Sequence, residues 1–217
     1  MYKYIILLSI ILGLSSCEDI IDVNLNDADA RYVIDANLNN LSNRQIIKIS
    51  QTVPFSATVS SAPVEDAAVT VQDDSGRLYS FLHVGDGQYQ ATNFRPIENR
   101  AYNLKVNIGS EEFTATSYMH PYVQVDSLGV MEDEVFGEMR YSVNLKFTDP
   151  KDTDNYYKYS ISVNNKPFEF ARVFSDKFND GLFVTHELTD RENTLAVGDS
   201  VSVTRYIIDQ HVFKYWN

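Results

Sequence analysis

The side chains that could carry catalytic chemistry are few and widely separated along the chain. There is one cysteine, Cys17, and there are four histidines, no two of which have the spacing of a zinc site. Neither the Gly-x-Ser-x-Gly nor the Ser-x-x-Lys arrangement of serine hydrolases occurs. Thirty acidic residues form many carboxylate pairs, which keeps glycoside hydrolysis as an alternative, although most carboxylates of an acidic protein are simply solvated. We therefore expect a protein that is not an enzyme, and we assign no catalytic, cofactor-binding or metal-binding residue.

Two acidic loops carry the oxygen ligands that calcium prefers. Residues 149–155 read Asp-Pro-Lys-Asp-Thr-Asp-Asn, and Asp176 is followed by Asn179, Asp180 and Gly181. Calcium binds six to eight oxygens, but neither loop has the order of an EF-hand. Asp and Asn are also common turn formers, so we favour turn formation and keep calcium binding as the alternative.

Aromatic residues are dense between positions 156 and 178. Those in the segment 165–181 do not alternate as they would in a strand, which is typical of an exposed loop. Aromatic faces bind both sugars and proteins. Filling of a hydrophobic core is the favoured interpretation of these rings. The functional hypothesis is that four of them lie on a partner-facing loop: Phe168, Phe170, Phe174 and Phe178.

The N-terminus has the layout of a bacterial export signal. Lys3 precedes an apolar run of ten residues, 5–14, as in a secretory signal peptide. A helix of that length measures about 15 Å, about half the hydrocarbon core of a bilayer, so the run is too short to span a membrane. Residues 14–17, Leu-Ser-Ser-Cys, resemble the lipobox of bacterial lipoproteins, whose cysteine is diacylated on sulfur and then becomes the acylated N-terminus.

We therefore expect residues 1–16 to be a cleaved signal peptide and Cys17 to be a lipid anchor. Several acyl chains on one residue are sufficient for stable membrane attachment. The alternative is an ordinary signal peptide with a coincidental cysteine, or a buried N-terminal helix. Glu18 and Asp19 resemble the acidic signal that exports lipoproteins of the Bacteroidota to the cell surface. The expected location is the outer membrane, with the protein lipid-anchored at the cell surface; the inner leaflet of the same membrane is the alternative.

The charge balance argues against one class of partner. The chain has 30 Asp and Glu against 18 Lys and Arg, giving a formal net charge of -12, and the basic residues form no cluster. Because nucleic-acid binding depends on Lys and Arg placed against phosphates, we expect no nucleic-acid partner. A single cysteine also leaves no intramolecular disulfide.

These side chains must be positioned by strands, because polar and apolar residues alternate with a period of two. The clearest run is 101–108, followed by a turn at Gly109 and Ser110. Its apolar residues share one face: Tyr102, Leu104, Val106 and Ile108. About seven such runs between residues 31 and 119 predict a β-sandwich of immunoglobulin or transthyretin type.

A second set of four or five strands begins after His120-Pro121. It includes a strand at 141–147, and Asp209 can cap a helix that begins at Gln210. We predict an all-β fold: an anchor and linker at residues 17–30, a β-sandwich domain at 31–120, and a smaller β-rich domain at 121–217. The second domain is expected to be incomplete at its C-terminus.

Several short motifs, taken in order, resemble one family. They are the lipobox and the segments 31–36, 67–89, 125–128, 147–150, 155–157 and 198–201, followed by Tyr215-Trp216. Together they are similar to the Bacteroidota lipoproteins of domain of unknown function 4249, over essentially the whole mature chain. Members usually continue past the equivalent of Tyr215-Trp216, which implies that this chain is short at its C-terminus.

The resemblance implies no activity, because the family name records none, and it implies a setting shared with partners of TonB-dependent transporters. We therefore expect a lipid-anchored, non-catalytic binding or accessory module that acts with an outer-membrane β-barrel transporter, without cofactor and with its ligand unspecified. A structural or adhesive envelope protein is the alternative, and a glycoside hydrolase is the least favoured one.

Two Asp-Ser-aliphatic motifs, at residues 126–128 and 199–201, resemble sites of O-glycosylation in exported proteins of the Bacteroidota. Ser127 and Ser200 would carry the sugar. Turn formation by Asp-Ser explains the motifs equally well, so both interpretations stay open.

Overall fold

The computed structural model describes residues 30–53, 61–188 and 195–217. These residues form strands, turns and one short helix, which confirms the all-β prediction. The N-terminal strands are β1 (Tyr32–Ala36), β2 (Gln45–Gln51), β3 (Ala62–Pro63), β4 (Ala68–Asp73), β5 (Leu78–Gly85), β6 (Gln88–Ala91), β7 (Arg100–Ile108) and β8 (Glu111–Met119). The C-terminal elements are β9 (Ser127–Val135), β10 (Glu138–Thr148), β11 (Tyr156–Val163), β12 (Glu169–Ser175), β13 (Phe183–Leu188), β14 (Val201–Ile207) and α1 (Gln210–Trp216).

Strands β1 to β8 form one antiparallel sheet, here called the N-terminal sheet. Its order is β1-β2-β6-β5-β4-β7-β8, with β3 paired to β2. The sheet is continuous because β5 serves both halves: its first residues, 78–81, pair with β4, and its last, 82–85, pair with β6. The two sheets expected of an immunoglobulin-like sandwich are therefore joined through one strand.

The N-terminal sheet encloses a core supplied mainly by alternate residues of its strands, as the period of two requires, with Val64 and Phe94 added from the segments between strands. Its buried residues are Ile47, Ile49, Val64, Val69, Val71, Phe81, Tyr89, Ala91, Phe94, Tyr102, Val106 and Ile108. The buried tyrosines keep their hydroxyls satisfied. Tyr89 donates to the Val64 carbonyl at 2.9 Å and accepts from the Ala67 amide, and Tyr102 accepts from the Ile97 amide at 2.7 Å. These bonds remove the penalty of burying a hydroxyl in an apolar core.

The tight turns of this sheet depend on particular side chains. At the predicted β4–β5 hairpin turn, one oxygen of buried Asp73 accepts from the Ser75 hydroxyl and from the amides of Ser75 and Arg77. At the β5–β6 turn, Gly87 has φ +65°, and a Cβ atom there would lie 2.3 Å from the Ile49 carbonyl oxygen. Only glycine fits that position without a shift of the backbone.

The C-terminal strands form two three-stranded antiparallel sheets, here called the C-terminal sheets, with orders β13-β10-β9 and β12-β11-β14. They share a second core of ten buried residues: Val123, Val143, Leu145, Phe147, Tyr157, Tyr159, Ile161, Val184, Leu188 and Leu195. The predicted alternation in β10 is only partly kept, because Ser142 and Asn144 are buried as well. Asn144 lies against Gly129 of β9, which leaves room for its amide.

Helix α1 begins where the sequence predicts, directly after Asp209. The residue occupies the N-cap position, but its carboxylate makes no capping bond. It instead accepts from the Ser117 hydroxyl and the Tyr118 amide and contacts His120. Asp209 therefore joins the end of β8 to the start of α1. Over the described ranges, no helix is long and apolar enough to cross a membrane.

Candidate functional site

Three aspartates converge at one end of the C-terminal sheets. Asp149 follows β10, Asp176 follows β12, and Asp180 lies just before β13. One carboxylate oxygen of each lies within 4.8 Å of those of the other two, and we call this group the carboxylate cluster. Its members come from the two acidic loops that the sequence singled out separately.

Antiparallel pairing brings the two loops together. The end of β10 pairs with the start of β13, and the Asp149 amide donates to the Leu182 carbonyl at 2.9 Å. The start of β11 pairs with the end of β12, and the Asp176 amide donates to the Asn155 carbonyl at 3.1 Å. Both acidic loops are therefore held by backbone hydrogen bonds on rigid strand ends.

Each carboxylate of the cluster is fixed through one of its two oxygens. Asp149 Oδ1 accepts from the Tyr157 hydroxyl at 2.6 Å. Asp176 Oδ2 accepts from the Asn155 amide at 2.7 Å, and Asp180 Oδ1 accepts from the Asp152 amide at 2.8 Å. These bonds orient the three groups and leave the second oxygen of each for another contact.

Asp149 is the least solvated member of the cluster. The residue is 2% exposed, and its Oδ2 is buried with no hydrogen-bond partner among the described residues. Burial raises the pKa of the Asp149 carboxyl, and the charges of Asp176 and Asp180 raise it further, against the effects of the Tyr157 hydroxyl and the nearby Gly181 amide. A buried carboxylate oxygen without a donor is costly, so this atom calls for a partner.

Asp176 shares this environment. It is 6% exposed, burial raises the pKa of its carboxyl, and the charges of Asp154 and Asp180 act in the same direction, while the Asn155 amide opposes them. Asp180 is exposed and opens the cluster to solvent. Beside it, Gly181 has φ +70° and would place a Cβ atom 2.9 Å from Lys151 Cγ, so the two acidic loops are in close contact.

A second polar group lies inside the second core. The Tyr159 hydroxyl is 2.9 Å from His186 Nδ1, and Phe174 stacks on the imidazole with ring centroids 3.9 Å apart. Burial lowers the pKa of His186 to about 4, and the charges of Arg205 and Arg172 contribute. Burial also raises the pKa of Tyr159. Both groups are therefore neutral near pH 7 and act as packed core residues.

The four candidate phenylalanines do not share one loop, which corrects that expectation. Residues 169–175 form β12, so Phe170 and Phe174 lie on a strand. Phe174 pairs with Tyr157 of β11, and Phe170 pairs with Ser160. The two phenylalanines are four positions apart on β12, but their partners are only three positions apart on β11, so β12 has one extra residue between them. This β-bulge turns the two rings to opposite faces and removes the alternation that would have indicated a strand.

Phe168, Phe170 and Phe178 are nevertheless open to solvent, with exposed fractions of 54%, 42% and 83%. Phe174 packs against the second core. Phe170 also stacks on Trp216 of α1 with centroids 4.7 Å apart, and Lys158 Nζ lies 3.9 Å from the indole centroid. Of the exposed rings, Phe170 therefore lies beside α1, while Phe168 and Phe178 lie just beyond the two ends of β12; whether a partner binds them stays a prediction.

A shallow pocket of about 240 Å³ lies on the C-terminal sheets. Six residues line it: Tyr122, Val125, Leu128, Leu145, Val203 and Arg205. No carboxylate is among them, and the volume is below the roughly 300–1,000 Å³ of most small-molecule sites. This pocket does not have the paired acids that a glycoside hydrolase requires.

Of the remaining candidate residues, some lie within the part of the chain that the structure describes and others lie outside it. Cys17, Glu18 and Asp19 lie outside the described residues. Ser127 and Ser200 are both exposed, as a modifying enzyme would need. Asp199 accepts from the Ala196 amide at 2.8 Å and from the Asn164 side chain, so it also forms the turn that the alternative interpretation requires.

The carboxylate cluster and the Tyr159–His186 pair were not assigned as sites from the sequence. The acids of the cluster were visible as two loops, but no local spacing relates Asp149 to Asp176. The signal that could have joined them was strand pairing, because each loop lies directly at a strand end. His186 occupies a buried position of alternating β13, which is a weak sign of a core role.

Comparison with known proteins supports one relationship. A search among curated proteins found no match. Residues 18–217 match the sequence profile of the family described as Domain of unknown function (DUF4249). Because the match includes nearly the whole chain, the chain belongs to the DUF4249 family of domains of unknown function.

Proposed function

We propose that this protein is a lipid-anchored lipoprotein of the bacterial outer membrane that acts as a non-catalytic binding or accessory module. The observation that carries the binding role is the exposure of Phe170 on β12 and of Phe168 and Phe178 in the segments on either side of it. Exposure of aromatic rings to water is energetically unfavourable, and aromatic residues are enriched at binding hot spots. The lipobox sequence ending at Cys17 supports the anchor and the membrane location.

The partner we propose is a β-barrel transporter of the same membrane, of the TonB-dependent class. A lipid anchor confines the protein to the plane of that membrane, where barrel proteins are its neighbours. The formal net charge of -12 gives no attraction to an anionic lipid surface, so the aromatic rings rather than charge would make the contact. A structural or adhesive envelope protein, which needs no barrel, is the alternative.

Two experiments test the proposal. Metabolic labelling with a palmitate analogue is expected to label the wild-type chain and not the Cys17→Ser variant. Pull-down of the native protein from detergent-solubilised outer membranes is expected to recover a β-barrel, and the Phe168→Ser/Phe178→Ser double variant should recover at least tenfold less. Leu82→Ser is the matched control, because Leu82 is 72% exposed on the N-terminal sheet. Labelling of the Cys17→Ser variant would exclude the anchor, and equal recovery by all variants would exclude the aromatic contact.

A further inference from the structure

We propose that the carboxylate cluster of Asp149, Asp176 and Asp180 is a calcium-binding site. One oxygen of each aspartate lies within 4.8 Å of the other two. Calcium holds its oxygen ligands at about 2.4 Å, so two ligands on opposite sides of one ion are about 4.8 Å apart. Three oxygens no more than 4.8 Å apart lie within about 2.8 Å of a common point, so a single ion can contact all three carboxylates after a shift of at most a few tenths of an ångström. This inference does not depend on the function proposed above.

Asp149 provides the independent sign of a missing ligand. Its Oδ2 is fully buried and has no hydrogen-bond partner among the described residues, although Oδ1 of the same carboxylate is held by Tyr157 at 2.6 Å. The Asp149 carboxylate lies beside those of Asp176 and Asp180, and the nearby Gly181 amide makes no hydrogen bond to Oδ2. Buried polar atoms in folded proteins almost always have a partner, and an oxygen that faces other carboxylates can be satisfied by a cation or a proton.

The charges around the cluster favour a cation over a proton. Within residues 30–53, 61–188 and 195–217, no Lys or Arg nitrogen lies within 4.0 Å of any of the three carboxylates. One shared proton would leave two negative charges close together. A divalent ion neutralises more of the charge and can be shared by all three carboxylates.

The donor set selects the type of metal. Only oxygen atoms converge here, with no thiolate or imidazole among the cluster residues, which argues against zinc. Magnesium demands near-ideal octahedral geometry and is usually held by one or two carboxylates and several waters. Three carboxylates from separate loop positions suit the larger and more adaptable coordination of calcium. Exposed Asp180 leaves one side open, where water can complete the shell.

Calcium at this position would have a structural role. Asp149 and Asp180 flank β10 and β13 of one C-terminal sheet, whereas Asp176 follows β12 of the other. One ion would link the two sheets at this end. We therefore expect calcium to raise the thermal stability of the folded chain, because an ion that binds only the native state shifts the unfolding equilibrium.

The test uses the purified full-length chain, freed of metal with a chelator. Calcium chloride is expected to raise Tm by several degrees and to give a saturating calorimetric isotherm with Kd on the order of 10⁻⁴ to 10⁻³ M, the range of extracellular calcium modules. Magnesium chloride should have at least tenfold lower affinity. Asp180→Asn is the primary variant, because Asp180 is exposed and its loss should not impair folding, and it should weaken calcium binding at least tenfold.

Asp133→Asn is the matched control, since it removes one exposed carboxylate of β9 that lies outside the cluster. This variant should bind calcium as the wild type does. Absence of a calcium effect up to about 10 mM, or equal binding by Asp180→Asn and wild type, would overturn the proposal. A metal-free Asp149→Asn variant that is more stable than the metal-free wild type, with no calcium response in either, would assign the cluster to a shared proton instead.

Discussion

Asp209 Oδ1 lies 3.3 Å from His120 Nε2, although the two residues are 89 positions apart in the chain. The contact joins the segment after β8 to the turn before α1. Burial alone would raise the pKa of Asp209, but hydrogen bonds from His120, Ser117 and the Tyr118 amide outweigh it and lower the pKa. The charged form of Asp209 is therefore the one that holds the two ends together.

Replacement of Asp209 by Ala should loosen this junction. The change removes the acceptor for Ser117, Tyr118 and His120, and we expect a loss of about 1–3 kcal/mol in the free energy of unfolding. Urea denaturation measures the loss, and hydrogen exchange should be faster at the Tyr118 amide. Asp209→Asn keeps an acceptor oxygen and should lose less. Unchanged exchange at Tyr118 in the Ala variant would argue that the contact is dispensable.

His186 should make stability depend on pH in the acidic range. Its pKa is about 4 in the folded chain and about 6.5 when unfolded, so the unfolded chain binds more protons between these values. The contribution of neutral His186 to the free energy of unfolding is therefore fully present above about pH 6.5, and up to about 3 kcal/mol of it is lost as the pH approaches about 4. Urea midpoints near pH 7 and near pH 4.5 measure the effect.

His186→Gln should flatten that part of the profile, because glutamine does not take up the proton. His83→Gln, at an exposed position, serves as the control and should keep the wild-type slope. Parallel profiles for both variants would show that His186 is not the group responsible.

The β5–β6 turn should not tolerate a side chain at Gly87. Gly87→Ala would combine a left-handed φ of +65° with a contact of 2.3 Å to the Ile49 carbonyl oxygen. Gly76→Ala has a similar φ of +85° but open space around the added carbon. We expect Gly76→Ala to cost about 1–2 kcal/mol and Gly87→Ala clearly more, by urea denaturation. Equal costs would mean that the backbone near Ile49 yields easily.

Trp216 is the single tryptophan of the chain and reports on the docking of α1. Because Phe170 stacks on the indole, Phe170→Ala should expose Trp216 to water and shift its emission to longer wavelength. Phe178→Ala removes a more exposed ring for which no contact with Trp216 is seen, and it should leave the spectrum unchanged. An identical shift in both variants would indicate a general loosening instead of a local contact.

Local patterns predicted the positions of many strands along the chain. The strand 100–108 and its Gly109-Ser110 turn follow directly from alternation, because one face of β7 is buried and the other is solvated. The same rule failed at β12, where a bulge between two pairing registers inverts the faces and hides the period. Patterns along the chain describe regular strands well and interrupted strands poorly.

The carboxylate cluster could not be predicted from such patterns, for a different reason. Asp149 and Asp176 meet because β10 pairs with β13 while β11 pairs with β12, and these registers join residues far apart in sequence. Burial distinguishes Asp149 and Asp176 from the many solvated acidic residues of the chain. The lack of a hydrogen-bond partner for Asp149 Oδ2 among the described residues results from packing, and the number of acidic residues in the sequence does not predict it.

The shared strand β5 has a consequence for the assembly of the N-terminal sheet. Because β5 is hydrogen-bonded to β4 along one part of its length and to β6 along the other, its register sets the alignment of both halves of the sheet. A slip of β5 by one residue would misalign both pairings at once and turn the buried Phe81 side chain to the opposite face, so the register of this one strand limits how the whole sheet can assemble.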